Sequence, residues 1–179
     1  TPGKYNFPQF KDSYKQRPYD EKLINHPGLM MPKLDGSHSI ILLQSGKRPR
    51  VFSYRVSKKG DILEYTHKIP GLFENRVPKG VNMILRGEVY LSDKEGKALS
   101  ANRTAGILNS GIEKARADQE GTGGLKIMPF DIYAGKGKDL PYEEKHQVLV
   151  ELAKTLPFLV TPPAAKTPDE KKRMLQEIR

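Results

Sequence analysis

The chain contains no cysteine. Disulfides, thiol nucleophiles and zinc-thiolate sites are therefore excluded, and a reducing compartment is allowed. Long apolar stretches are missing too. The longest run, residues 40–43, has strand length and falls far short of the roughly 20 residues a membrane helix needs, so no membrane association is expected. Histidine is sparse, at four residues, and His26, His67 and His146 lack the spacing of metal ligands. The first residues hold no apolar signal core, and the chain opens on Thr1 rather than Met, which reads as a processed product or a piece of a longer protein. The expected location is cytoplasmic (in a prokaryote or a virus-infected host) or nuclear, and not secreted. Acidic residues are the minority: 21 Asp and Glu face 31 Lys and Arg, a formal charge of +10 and a pI near 9.7. Such a field draws nucleic acid or polyphosphate by counterion release, although a merely basic surface has the same composition.

What remains describes a globular chain. Its 179 residues and 36% hydrophobic content suffice for one core, and its mean hydropathy of -0.63 marks it as rather polar. Pro8, Pro18 and Pro27 punctuate an aperiodic beginning, so residues 1–29 read as an extended lead-in. Residues 37–44 and 50–56 read as two strands joined by the turn Ser45-Gly46-Lys47-Arg48. Further strands are expected at 81–91 and 125–133. Helices are expected only late. The first begins with Pro141 in its opening turn, carries Val148, Leu149, Leu152 and Leu156 at helical spacing, and ends before Pro157. The second is announced by Thr167, Pro168 and Glu170, a capping box ahead of Met174, Leu175 and Ile178. Strands followed by helices suggest an α+β fold with mainly antiparallel sheet.

Chemistry concentrates at Lys33-Leu34-Asp35-Gly36. A lysine becomes a nucleophile when burial and neighbours lower its pKa, and the glycine lets backbone approach a nucleotide closely. Taken alone, these are also ordinary turn residues. Downstream, Ile84-Leu85-Arg86-Gly87-Glu88-Val89-Tyr90-Leu91 sets a carboxylate inside an apolar strand, where it needs a cation, a metal or a ligand hydroxyl to answer it. Lys126-Ile127-Met128-Pro129-Phe130-Asp131-Ile132-Tyr133 then offers an aromatic able to stack on a base, followed by a second acid. Asp35 and Asp131 read equally as turn and strand-end acids. Lys47, Arg48 and Arg50 are a solvated hairpin tip or a grip on phosphates.

In this order the blocks resemble the covalent nucleotidyltransferases, and within them the ATP-dependent DNA ligases. Lys33 to Gly36 is similar to the motif holding the adenylylated lysine, Glu88 to the acid of the third motif, and Phe130-Asp131 to the next. Phe52-Ser53-Tyr54-Arg55, with Tyr65-Thr66-His67-Lys68-Ile69-Pro70 after it, resembles the family's arginine strand and the stretch that follows it. Residues 101–109 are similar to a small-Gly-Leu-Leu segment of compact ligases. The resemblance implies a nucleotidyltransferase (ATP-grasp-like) adenylation domain with antiparallel sheets flanked by helices. It implies ATP and Mg2+ or another divalent metal as cofactors, nicked double-stranded DNA as partner, and a monomer. Lys33 would be the catalytic nucleophile. Met31, Lys33, His38, Arg55, Glu88 and Phe130 would line the nucleotide, with Glu88 also serving the metal. Lys47, Arg48 and Arg50 are candidate DNA contacts.

Two positions depart from the family pattern. Met31 replaces a glutamate and His38 an arginine. Met31 has no side-chain acceptor for an adenine amino group, and a neutral His38 is a poorer phosphate partner than Arg unless protonation near an anion restores its charge. The family's later Glu-Gly and Lys-x-Lys motifs do not occur before Arg179, so residues 30–179 read as the first part of the domain. Other readings share these motifs: a NAD-dependent DNA ligase, an RNA ligase, a capping guanylyltransferase, or a non-catalytic basic nucleic-acid-binding fragment.

Overall fold

The computed structural model describes residues 34, 36–56, 60–72, 74–164 and 167–178, with backbone only for 175–178. The expected lead-in, Met31 and Lys33 lie outside the described residues. Four strands form one antiparallel sheet: β1 (Ser37–Leu43), β2 (Arg50–Ser53), β3 (Met83–Ser92) and β4 (Gly124–Gly135), in the order β2-β1-β3-β4. β1, β3 and β4 fall where the apolar runs put them, while β2 starts as expected but ends at Ser53, three residues short of the expected Val56, which is exposed. The β1–β2 hairpin pairs Ser39 with Ser53 and Leu42 with Arg50.

Helices are not confined to the end of the chain. Between β3 and β4 lie α1 (Ala101–Leu108) and α2 (Ile112–Asp118). Their brevity hides the 3.6-residue period, so the local cue is the cap: Ser100 Oγ accepts the Arg103 N–H at 3.4 Å. The later helices are α3 (Tyr142–Thr155) and α4 (Pro168–Ile178). Pro141 turns out to be the N-cap of α3 rather than its first-turn residue. The capping group at α4 forms as expected, with Thr167 Oγ1 accepting the Glu170 N–H at 3.1 Å while Glu170 Oε1 lies 3.1 Å from the same hydroxyl.

The period-2 alternation of the strands separates two faces. Ile41, Leu43, Val51, Leu85, Val89, Leu91 and Ile127 point to one side and pack with Ile107 and Leu108 of α1, Ala115 of α2, and Leu149, Ala153 and Leu156 of α3. Each such large aliphatic side chain, fully buried, contributes about 1.5–3 kcal/mol. A small second cluster, Ile40, Phe52 and Ile62 with Leu42, Tyr54 and Ile84, lies apart from this core. It shares the other sheet face with the even-numbered residues of β1 and β3, His38, Arg86 and Glu88 among them.

The stretch after β2 fastens this scaffold. Thr66 Oγ1 accepts the Val51 N–H at 2.9 Å, and Lys68 Nζ donates to the Leu108 carbonyl at 2.6 Å, at the C-terminal end of α1, where a cation is favoured. Burial lowers the Lys68 pKa. Glu64 receives Arg50 in a two-pronged contact, Nε to Oε2 at 3.0 Å and Nη2 to Oε1 at 2.8 Å. Burial alone would raise the Glu64 pKa, but the hydrogen bonds from Arg50 and Thr66 outweigh it and bring it below its ordinary value.

Candidate active site

The register of β1 on β3 sets His38 directly opposite Glu88, and Ser37 opposite Val89. Gly36 precedes this pairing and has no room for a side chain: a Cβ there would lie 2.5 Å from the Val89 carbonyl oxygen and 3.2 Å from Glu88 Oε2. Gly36 and the Glu88 carboxylate are therefore close neighbours. Glycine is needed here for close approach rather than for a left-handed backbone.

A bulge brings in Phe130. Asp131 pairs with Arg86 and Pro129 with Gly87, so Phe130 is an extra residue on β4. Two side chains then face one, which is how bulges re-aim residues beside functional sites. Both reach Arg86: its guanidinium carbon lies 5.3 Å from the Phe130 ring centroid, and Nη1 lies 3.8 Å from Asp131 Oδ2. Pro129, which lacks an N–H, is tolerated because β4 is an edge strand and the bulge starts there.

His38 sits at the middle of an aromatic cluster. Its ring stacks on Tyr54, with centroids 3.9 Å apart and planes 8° off parallel, and tilts against Phe130 at 5.2 Å. Arg86 also lies 5.3 Å from the Tyr54 ring, and its Nε–H donates to His38 Nε2 at 3.1 Å. The imidazole is thus an acceptor at Nε2 and carries its proton on Nδ1. Burial, then the positive charges of Arg86 and Arg55, lower its pKa from 6.5 to about 4. The ring is held neutral, and the charge on this face comes from Arg86 of the adjacent strand.

Arg55, exposed just beyond β2, is near enough to act electrostatically on His38. Among the described site residues, the sheet therefore gathers His38, Arg55, Glu88 and Phe130. It does not bring Lys47, Arg48 and Arg50 to them. Lys47 and Arg48 are exposed at the far end of the hairpin, and Arg50 is engaged by Glu64. Phe130 is 9% exposed, with His38 and Arg86 against its ring.

Sequence reasoning assigns no role to Tyr54, Arg86 or Lys145. The available signal for Arg86 is its place two residues before Glu88, hence on the same strand face. Lys145 of α3 donates to Asp131 Oδ1 at 3.2 Å, closing a buried chain from Arg86 through Asp131 to the helix layer.

Among the described residues, no three His, Asp or Glu side chains gather as a metal cage. A single carboxylate such as Glu88 nevertheless suits magnesium, which keeps several waters and binds through one or two carboxylates plus substrate phosphates.

The fold is similar to that of a solved protein, a mycobacterial DNA ligase D complexed with ATP and MES, at a TM-score of 0.55 and 17% identity. The fold is that of an ATP-dependent ligase adenylation domain. The match covers 84% of this chain and 44% of the ligase D chain, so the chain spans less than half the length of that relative. No family model and no curated protein matches the sequence. Within the adenylation-domain fold, the face bearing His38, Arg86 and Glu88 is the candidate active site.

The neutral state of His38 has a measurable consequence. The folded pKa lies below the unfolded one, so between pH 6.5 and about 4 the unfolded chain binds a proton that the folded chain refuses. Stability from this group is present above pH 6.5 and is lost as pH falls toward 4. His38→Gln, which keeps an acceptor for Arg86, is expected to flatten that part of the stability profile. Nitrogen NMR at neutral pH should show the His38 proton on Nδ1; a proton on Nε2 would contradict the Arg86 hydrogen bond.

Proposed function

We propose that the protein is an ATP-dependent polynucleotide ligase that seals nicks in duplex DNA through a lysyl-AMP on Lys33. The observation that carries this reading is the close approach of Gly36, at the end of the Lys33–Gly36 segment, to Glu88, where an added Cβ would stand 3.2 Å from Oε2, within a fold similar to that of an ATP-bound DNA ligase.

In this reading the neutral Lys33 amine attacks the α-phosphorus of ATP. A nitrogen–phosphorus bond forms as the bond to pyrophosphate breaks, pyrophosphate leaves with the electron pair, and the amine loses a proton. AMP then passes to the 5′-phosphate at a nick, and the adjacent 3′-hydroxyl displaces AMP to join the strand. Little of this asks for acid–base chemistry from the protein; the work is positioning and charge stabilisation. Glu88 binds the ribose or holds the divalent metal, which when bound offsets phosphate charge. Arg55 contacts ribose or the nick phosphate. Phe130 stacks on adenine, with Arg86 and His38 against its ring. Met31 leaves adenine recognition to other groups.

Intact mass after incubation with ATP and magnesium tests the reading. In a chain that also carries the later Glu-Gly and Lys-x-Lys motifs, the expected result is a gain of one adenylate that maps to Lys33 and is absent from Lys33→Ala; residues 1–179 alone are expected to label poorly. Labelling of another residue would move the nucleophile. Labelling from NAD in place of ATP would move the protein to the other ligase class.

A further inference from the structure

Three loops meet at the end of the sheet away from His38, and each is basic. In the first, Lys47 and Arg48 follow β1; in the second, Arg76 and Lys79 precede β3; in the third, Lys136 and Lys138 follow β4. All six side chains are exposed. Segments 44–49, 74–82 and 135–140 contain only two acids, Glu74 and Asp139.

Backbone contacts weld the loops into one surface. Gly46 N–H donates to the Val77 carbonyl and Val77 N–H to the Lys47 carbonyl, each at 2.8 Å. The Ser45 N–H donates to Asn82 Oδ1 at 3.1 Å, and Ser45 Oγ accepts the Gly80 N–H at 2.9 Å. Arg76 Nη1 reaches the Gly46 carbonyl at 3.4 Å. The third loop joins through Gly135, which pairs with Met83 and lies so close to Asn82 that a Cβ there would stand 2.4 Å from its carbonyl oxygen. The loop backbones that carry these cations are therefore held relative to one another, although they come from segments far apart in sequence.

We infer that this basic end is a docking surface for the phosphate backbone of duplex DNA flanking the break. The inference rests on the ligase reading for the identity of the partner. Four strands spaced by about 4.8 Å make the surface about 14 Å wide, a length of duplex that carries roughly eight phosphates. The run from His38 to Leu43 places it about 17 Å from the site, or roughly five base pairs along a duplex. Lysine and arginine side chains without a groove-entering element read phosphates and not bases. Arg50 is not part of this surface, because Glu64 holds it in two hydrogen bonds.

The test compares two variants of the 179-residue chain on nicked duplex DNA over a range of salt. One is Lys79→Gln/Lys136→Gln/Lys138→Gln. The control is Lys94→Gln/Lys97→Gln, two exposed lysines in the turn at the opposite end of β3, about 30 Å away. The triple variant should lower the slope of log affinity against log salt by about 0.9 for each phosphate that is no longer neutralised, up to nearly 3. The control should leave the slope close to that of the parent. Equal reductions in both variants, or none in either, would overturn the inference. Adenylation measured without DNA should be the same in the triple variant as in the parent. A chain that adenylates but binds DNA independently of these lysines removes the docking surface and keeps the ligase reading. A slope change confined to the triple variant, together with no adenylate on Lys33 in a chain that carries the later Glu-Gly and Lys-x-Lys motifs, does the reverse.

Discussion

Asp131→Ala is expected to destabilise the protein by about 3–5 kcal/mol, lowering the thermal midpoint by roughly 10 °C. Asp131 is 1% exposed and stands between two cations that are themselves largely covered, Lys145 and Arg86, whose side chains are 10% and 12% exposed. Its Oδ1 accepts hydrogen bonds from Lys145 Nζ and from the Ile132 N–H, while Oδ2 lies 3.8 Å from Arg86 Nη1 and has no hydrogen-bond partner among the described residues. Removing the carboxylate leaves Lys145 without its buried counter-charge, and that costs more than the pair is worth as a pair. Asp131→Ala/Lys145→Met should therefore recover a large part of the loss. Denaturant unfolding of the single and double variants checks both statements; a single variant within about 1 kcal/mol of the parent would show that the charges are well solvated. Arg86 is also anchored through this carboxylate, so the single variant should loosen the Arg86–His38 hydrogen bond and raise the His38 pKa toward its ordinary value.

Gly36→Ala is expected to slow formation of the lysine adenylate by roughly a hundredfold, because displacement of reacting groups by about 1 Å has that scale of effect. The added carbon cannot fit: it would stand 2.5 Å from the Val89 oxygen, 3.1 Å from Tyr90 Cβ and 3.2 Å from Glu88 Oε2. β1 must move away from β3 where Ser37 pairs with Val89, and the Glu88 carboxylate must give way as well. Both disturb the junction between the lysine motif and its acid. Overpacking of this kind should also cost about 1–3 kcal/mol of stability. Single-turnover adenylation beside a thermal melt separates the two effects, since a stable but slow variant points to geometry. Parent-like adenylation by Gly36→Ala would remove Glu88 from the chemistry of the lysine motif.

Much of the fold is legible in the order of the residues. The apolar runs at 37–44, 81–91 and 125–133 each hold enough β-branched and aliphatic residues to declare strands, and the structure has them as β1, β3 and β4. The Thr167-Pro168-Glu170 cap announces α4 because capping is a contact between near neighbours. Helices α1 and α2 are not legible: at eight and seven residues they show too few turns for an apolar stripe to stand out, and packing against the sheet holds them.

The site divides along the same line. Local sequence determined which chemistry is present, since a lysine with a glycine three residues on, and a carboxylate amid apolar residues, are properties of short segments. Tertiary structure alone decided how they combine. Simple alternation would send Phe130 and Asp131 to opposite faces of β4, and only the bulge turns both toward Arg86. The state of His38 is likewise set through space: burial first, then the charge of an arginine 48 positions away in sequence, make an ionisable ring a neutral acceptor. The six cations of the far sheet end form a surface for the same reason, because strand pairing brings distant loops to one edge.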